Sequence, residues 1–124
     1  MKEVVAVVRM NMINRTKTAL TEAGIDAFFA HEALGRGKGL VCPEAVEGAQ
    51  QGYEEAVAVL GNKDKLYPKR MLTVVVPAEK VETVVQTIIR TNQTGQPGDG
   101  KIFILPVADA VRVRTAESGV KSIT

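Results

Sequence analysis

Tryptophan is absent from this 124-residue chain, and three phenylalanines and two tyrosines are its whole aromatic content. So few rings leave little for nucleobases to stack on, and the strand-like run "KIFIL" offers Phe103 alone, which argues against an RNA-binding module. Cysteine occurs once, at Cys42, so no disulfide can form within the chain, and a reducing, cytoplasmic setting is expected. Histidine also occurs once. His31 has no second ligand or nucleophile spaced to join it, so it reads as a structural or exposed residue, and Cys42 reads as a bystander thiol. The catalytic inventory is therefore thin, although a small enzyme is not excluded by fold alone. No stretch approaches the roughly 18 to 20 apolar residues of a membrane span, and the apolar run at the start is too short for a secretory signal. Sixteen basic against fourteen acidic residues leave a net charge of +2, which gives no reason to expect a polyanionic partner.

The length suits one domain over residues 1–124, with no room for a second core. "KEVVAVVR" is a β-branched run of strand length. "NMINRTKTALTEAG" then reads as a helix, with Asn11 or Asn14 to cap it and Gly24 to stop it. "IDAFFAHEAL" reads as a second strand and "RMLTVVVP" as a third. In "AEKVETVVQTIIRTNQ", Val81, Val84, Val85, Ile88 and Ile89 recur at three and four, the clearest helical signal in the chain. "KIFILPV" is the fourth long strand and "VRVRT" a short charged one. The tail, about residues 115–124, has no pattern.

Between the second and third strands the pattern disappears for about thirty residues, and an insertion of that length in a small domain is usually functional or mobile. Within this segment, roughly residues 36–68, "PEAVEGAQQGYEEAVAVLG" could form a helix, with Pro43 in its first turn. The order of elements predicts an α+β, ferredoxin-like βαββαβ sandwich with antiparallel pairing and both helices on one face. Val4, Val5, Val7 and Val8 are apolar on both faces of the first strand, as are Leu72, Val74, Val75 and Val76 on the third. Two helices cover one face only, so copies of the chain are expected to bury the other.

One loop carries the chemistry. "GQPGDGK" satisfies the letters Gly-x-x-x-x-Gly-Lys, yet Ile102 stands where a magnesium-binding hydroxyl would be. That motif also joins a strand to a helix N-terminus, whereas here a helix leads into a strand. Anion binding survives that objection. Successive N–H groups at Gly98, Asp99 and Gly100 can form a concave nest, with the Lys101 ammonium beside it. Arg112 and Arg114, two apart on a strand, would share a face. Equally, Gly-Asp-Gly is ordinary turn chemistry and the arginines could be solvated edge charges. A second glycine loop, "GRGKG", precedes the insertion.

At these residues the chain resembles a known family. "TIIRTNQTGQPGDGKIFILPVADAVRVRT" is similar to the C-terminal signature of the PII signal-transduction proteins, and the likeness extends through "MKEVVAVVR", "ALTEAGI", "LGRGKG" and "PKRMLTVVVP". The shortened "GRGKG", the "EGAQQGYEEA" insertion and "YPKR" look like the nitrogenase-associated branch, and the second of its paired paralogues. The resemblance implies a homotrimer whose inter-subunit clefts bind ATP or ADP, with Mg2+ accompanying ATP and 2-oxoglutarate beside it. Gly98, Asp99, Gly100 and Lys101 would cradle phosphates, facing Gly35, Gly37 and Lys38. Phe29 and Val75 would lie near the base, Arg112 and Arg114 on the phosphate side, and Lys69 would pair with a 2-oxoglutarate carboxylate. No catalytic or metal-ligating residue is implied. The implied role is an energy and nitrogen sensor that controls the dinitrogenase component through its long loop, with the sister paralogue as a possible partner. A more general regulator of ammonium assimilation or transport is the alternative. The family's usual glutamine is missing from "GRGKG", Tyr53 does not match the modified tyrosine of some relatives, and Ala116 stands where glycine is common.

Overall fold

The computed structural model describes residues 1–37 and 66–124. The element order is β1 (Lys2–Arg9), α1 (Ile13–Glu22), β2 (Phe29–Gly35), β3 (Tyr67–Val76), α2 (Val81–Asn92) and β4 (Lys101–Pro106). Short 3-10 turns at Met10–Met12 and Ala78–Lys80 lead into the two helices, and a third at Gly119–Ile123 ends the chain. The sheet order is β2-β3-β1-β4, and every neighbouring pair is antiparallel. This is the expected ferredoxin-like α+β sandwich. The proposed helix around residues 43–61, with Cys42 and Tyr53, lies outside the described residues.

Alternation along the strands decides what packs where, because successive side chains point to opposite faces. Val4, Ala6 and Val8 of β1 and Leu72, Val74 and Val76 of β3 are buried against Leu20 of α1 and Val84 and Ile88 of α2. A polar contact joins the helices. The Asn92 amide donates to the Thr16 hydroxyl at 3.0 Å, and Thr16 in turn donates to the Met12 carbonyl at 2.7 Å. The opposite face stays open. Across it runs a register row of Phe29, Thr73, Val5 and Phe103, one from each strand, with both phenylalanines at least half exposed.

Three local expectations need correction. Neither Asn11 nor Asn14 caps α1, since the N-cap position is Met12 and its side chain makes no cap bond; the 3-10 turn supplies the entry instead. The second strand begins at Phe29, not Ile25, because Ile25 is committed to the core and cannot serve the sheet edge. "VRVRT" is not a strand. Val111 and Ser118 form an isolated bridge, and the chain turns between them with Ala116 N–H donating to Arg112 C=O at 2.7 Å. Arg112 bonds Glu117 and Ala116 across the turn, and the exposed residues between them are open to solvent, so no sheet edge is needed.

Candidate functional site

The open face ends in a register row of Ala33, Lys69 and Arg9, where β1 stops and β3 starts. Against this end folds the loop between α2 and β4. A cavity of about 480 Å³ opens there, lined by Gly35, Arg36 and Gly37 from the end of β2, Tyr67 and Lys69 from β3, and Gly98, Gly100 and Lys101 from the loop and β4. Two glycine-rich segments separated by about half the chain thus meet at one cavity, with a lysine from each flanking strand.

The loop's shape comes from one carboxylate. Asp99 Oδ2 accepts the N–H groups of Thr94 at 2.7 Å and Gly95 at 2.9 Å, and Oδ1 accepts the Thr94 hydroxyl. The Arg9 guanidinium donates to Asp99 Oδ1 at 2.8 Å and, through its other arm, to the Pro97 carbonyl at 2.8 Å. Lys69 Nζ donates to the Gly98 carbonyl at 3.3 Å. Partial burial works to raise the Asp99 pKa, but the bonds from Thr94, Arg9 and Gly95 outweigh it and hold the carboxyl below its ordinary value. Gly98 and Gly100 have positive φ, 96° and 115°. The loop is therefore built, not merely a permissive turn.

The expected site residues do not all come together. Gly35, Gly37, Lys69, Gly98, Gly100 and Lys101 converge on the cavity. Asp99 belongs to the same loop, but its carboxylate faces Arg9 and Thr94, so its part is to shape the backbone. Phe29 and Val75 lie on the open sheet face away from the cavity lining, and Lys38 lies outside the described residues. Arg112 and Arg114 do not share a strand face, which corrects the sequence reading. Arg112 donates to the Glu117 carboxylate at 3.1 Å and to the carbonyls of Lys121 and Thr124 at 2.8 and 3.0 Å, pinning the tail, while Arg114 stands exposed in the turn. The tail is accordingly ordered against the domain, with Ile123 and Thr124 beside Ile25 and Pro77. Arg9 and Tyr67 were missed from the sequence. Each ends or begins an apolar strand, and that placement carries no local sign that a loop will close over it, although both are almost fully buried.

Among the described residues no group of His, Cys, Asp and Glu is arranged to hold a metal ion, and no helix is long and apolar enough to cross a membrane. A ferredoxin-like sandwich with a glycine loop folded over one sheet end defines a small α+β domain with a candidate ligand cavity.

The comparisons give that class its family. The family model "Nitrogen regulatory protein P-II" matches residues 1–117. The nitrogen fixation nifHD region GlnB-like protein 2 of Methanobacterium ivanovii is 43% identical over 131 residues, covering 99% of each chain. Its namesake in Methanococcus maripaludis is 42% identical over 126 residues, covering 99% of this chain and all of the relative. Nitrogen regulatory protein P-II 1 of Escherichia coli (strain K12) is 36% identical over 117 residues, covering 94% and 95%. The crystal structure of Arabidopsis thaliana PII bound to citrate matches with a TM-score of 0.73 at 33% identity, over 98% of this chain and 88% of that one. The chain belongs to the nitrogen regulatory protein P-II family. Within it, the chain is similar to the second GlnB-like protein of nitrogen-fixation regions.

Proposed function

We propose that this P-II protein reports cellular energy and nitrogen status by binding ATP or ADP together with 2-oxoglutarate, and passes that state to a nitrogen-metabolism target through residues 36–68. One observation carries the reading. Pro97, Gly98 and Gly100 of the loop, the Gly35–Gly37 segment, Lys69 and Lys101 all line one cavity of about 480 Å³. A triphosphate would lie against the N–H groups of residues 98–100 with Lys101 neutralising charge, and a dicarboxylate would take Lys69. Magnesium fits this site only as part of the ligand. Its natural protein donor would be the Asp99 carboxylate, which is already engaged by Thr94, Gly95 and Arg9. Bound magnesium would supply charge neutralisation on the phosphates.

The cavity opens beside the bare sheet face, where Phe29 and Phe103 are exposed, so a neighbouring copy would both cover that face and close the cleft. A homotrimer in the cytoplasm is the assembly proposed, with the sister paralogue as a possible co-subunit. The names of the nifHD-region relatives favour the dinitrogenase component as target, and regulation of ammonium assimilation or transport is the second reading, favoured by the likeness to P-II 1. The role is regulatory. An effector can shift the segment only by its differential affinity for two states, and a tenfold preference is worth about 1.4 kcal/mol. Lys69 lies close enough to the segment's end to transmit such a preference.

Calorimetry tests this. The parent is expected to bind ATP, and 2-oxoglutarate in its presence. Lys101→Ala is expected to weaken ATP strongly, and Lys69→Ala to weaken 2-oxoglutarate far more than ATP. A parent that takes up neither ligand, or variants that match it for both, would refute the proposal.

A further inference from the structure

Arg9 is 2% exposed at the end of β1, yet it reaches a loop ninety residues along the chain. Its two terminal nitrogens divide their work, one bonding the Asp99 carboxylate and the other the Pro97 carbonyl, both at 2.8 Å. Lys69 draws the next carbonyl, that of Gly98, at 3.3 Å. Two successive peptide groups therefore have their oxygens turned toward the strand ends. A trans peptide carries its C=O and N–H in opposite directions, and no cis bond occurs among the described residues. With the Pro97 and Gly98 oxygens turned in, the N–H groups of Gly98 and Asp99 must turn away from the strand ends. The Asp99 side chain meanwhile takes the Thr94 and Gly95 N–H groups, which removes the nearest internal donors from competition.

We propose that Arg9 is a positioning residue for the anion site: its forked guanidinium, tied to Asp99 and Pro97, sets the Pro97–Gly98 peptide plane that points the Gly98 N–H outward for an anionic oxygen. Resting on the function proposed above, this deepens it by naming what orients the donors. Arg9 acts here through Asp99 and the loop backbone, so its geometry matters as well as its charge. A planar fork can hold two acceptors at a fixed angle, which a lysine ammonium cannot do.

The test combines nucleotide affinity with amide exchange in the ligand-free protein. Calorimetry with ATP compares the parent with Arg9→Gln, Arg9→Lys, Asp99→Asn and the double variant Arg9→Gln/Asp99→Asn. A loss of about tenfold is expected for Arg9→Gln and Asp99→Asn, corresponding to about 1.4 kcal/mol each. Arg9→Lys is expected to recover part of that loss but not all. The double variant should bind no more weakly than the worse single one, because residues in one hydrogen-bonded network are non-additive. In the free protein, exchange at the Thr94 and Gly95 amides should quicken in Arg9→Lys and Arg9→Gln while exchange in β1 and α2 holds. If Arg9→Gln fails to fold, Arg9→Lys carries both measurements. A parent that binds ATP alongside an Arg9→Lys variant that matches it would overturn the inference and leave the proposed function standing. Additive losses would overturn it too, since Arg9 would then act independently of Asp99. Should the parent bind no nucleotide, the proposed function falls, and unchanged exchange at Thr94 and Gly95 would bring down the positioning role as well.

Discussion

Replacing Gly100 with alanine should be among the most damaging single-methyl additions available to this chain. Gly100 has φ of 115°, and a Cβ built there lies 1.9 Å from the Val7 carbonyl oxygen and 3.1 Å from its carbonyl carbon. Relief cannot come from Val7. It pairs with Met71 of β3 on one side and Lys101 of β4 on the other, so moving its carbonyl disturbs the sheet at its centre. The backbone strain of a side chain in such a region is about 1–3 kcal/mol, and forcing a methyl into filled space adds about 1–3 kcal/mol. A loss of about 2–6 kcal/mol follows, a large share of the roughly 5–15 kcal/mol that holds a typical domain together. Two other glycines separate the causes. Gly95 has φ of 84° and open space around its Cβ, so Gly95→Ala should lose only the strain, about 1–2 kcal/mol. Gly35 has neither obstacle, and Gly35→Ala should stay within about 0.5 kcal/mol of the parent. Urea unfolding followed by far-ultraviolet circular dichroism gives the comparison. Protein concentration must be fixed, because the proposed assembly would make stability depend on it. Gly100→Ala unfolding within about 0.5 kcal/mol of Gly35→Ala would refute the claim that the loop is pressed onto β1 at this point.

Ala116 has φ of 62°, a left-handed conformation that costs an alanine about 1–2 kcal/mol. Glycine there forfeits about 0.5–1 kcal/mol of chain entropy, so Ala116→Gly should stabilise the protein slightly, by up to about 1.5 kcal/mol; a destabilised variant in the same urea assay would contradict the assigned turn. Asp99 ionises more readily in the folded chain than in the unfolded one, so its contribution is complete above about pH 4 and is lost as pH falls through the folded value. Asp99→Asn should therefore begin less stable at neutral pH and lose less on acidification, and parallel acid-unfolding curves for the two proteins would count against this. Light scattering should return about three times the chain mass, whereas a stable monomer would mean the Phe29 and Phe103 face needs no partner.

The sheet and helices were legible because burial imposes a period. The β-branched apolar runs in "KEVVAVVR" and "RMLTVVVP" gave strands with two apolar faces, and the three-and-four spacing in "AEKVETVVQTIIRTNQ" gave a helix whose Val84 and Ile88 are indeed in the core. Gly98, Gly100 and Lys101 of the candidate site were equally readable, since tolerance of positive φ and an ammonium charge are properties of the residue types themselves. Less readable was the region of Arg112 and Arg114. Their alternation with valines imitates a strand, but alternation shows only that one could form; the bond from Arg112 to the tail carbonyls depends on where residues 121 and 124 arrive.

By itself, then, the sequence determined the layers of this protein and the place where a loop would change character, because those follow from local periodicity and from what glycine permits. Only the tertiary structure decided which way the Asp99 carboxylate turns and that Arg9 would be its partner. Those two residues are ninety positions apart, and no local pattern records a contact that exists only after four strands have fixed their register.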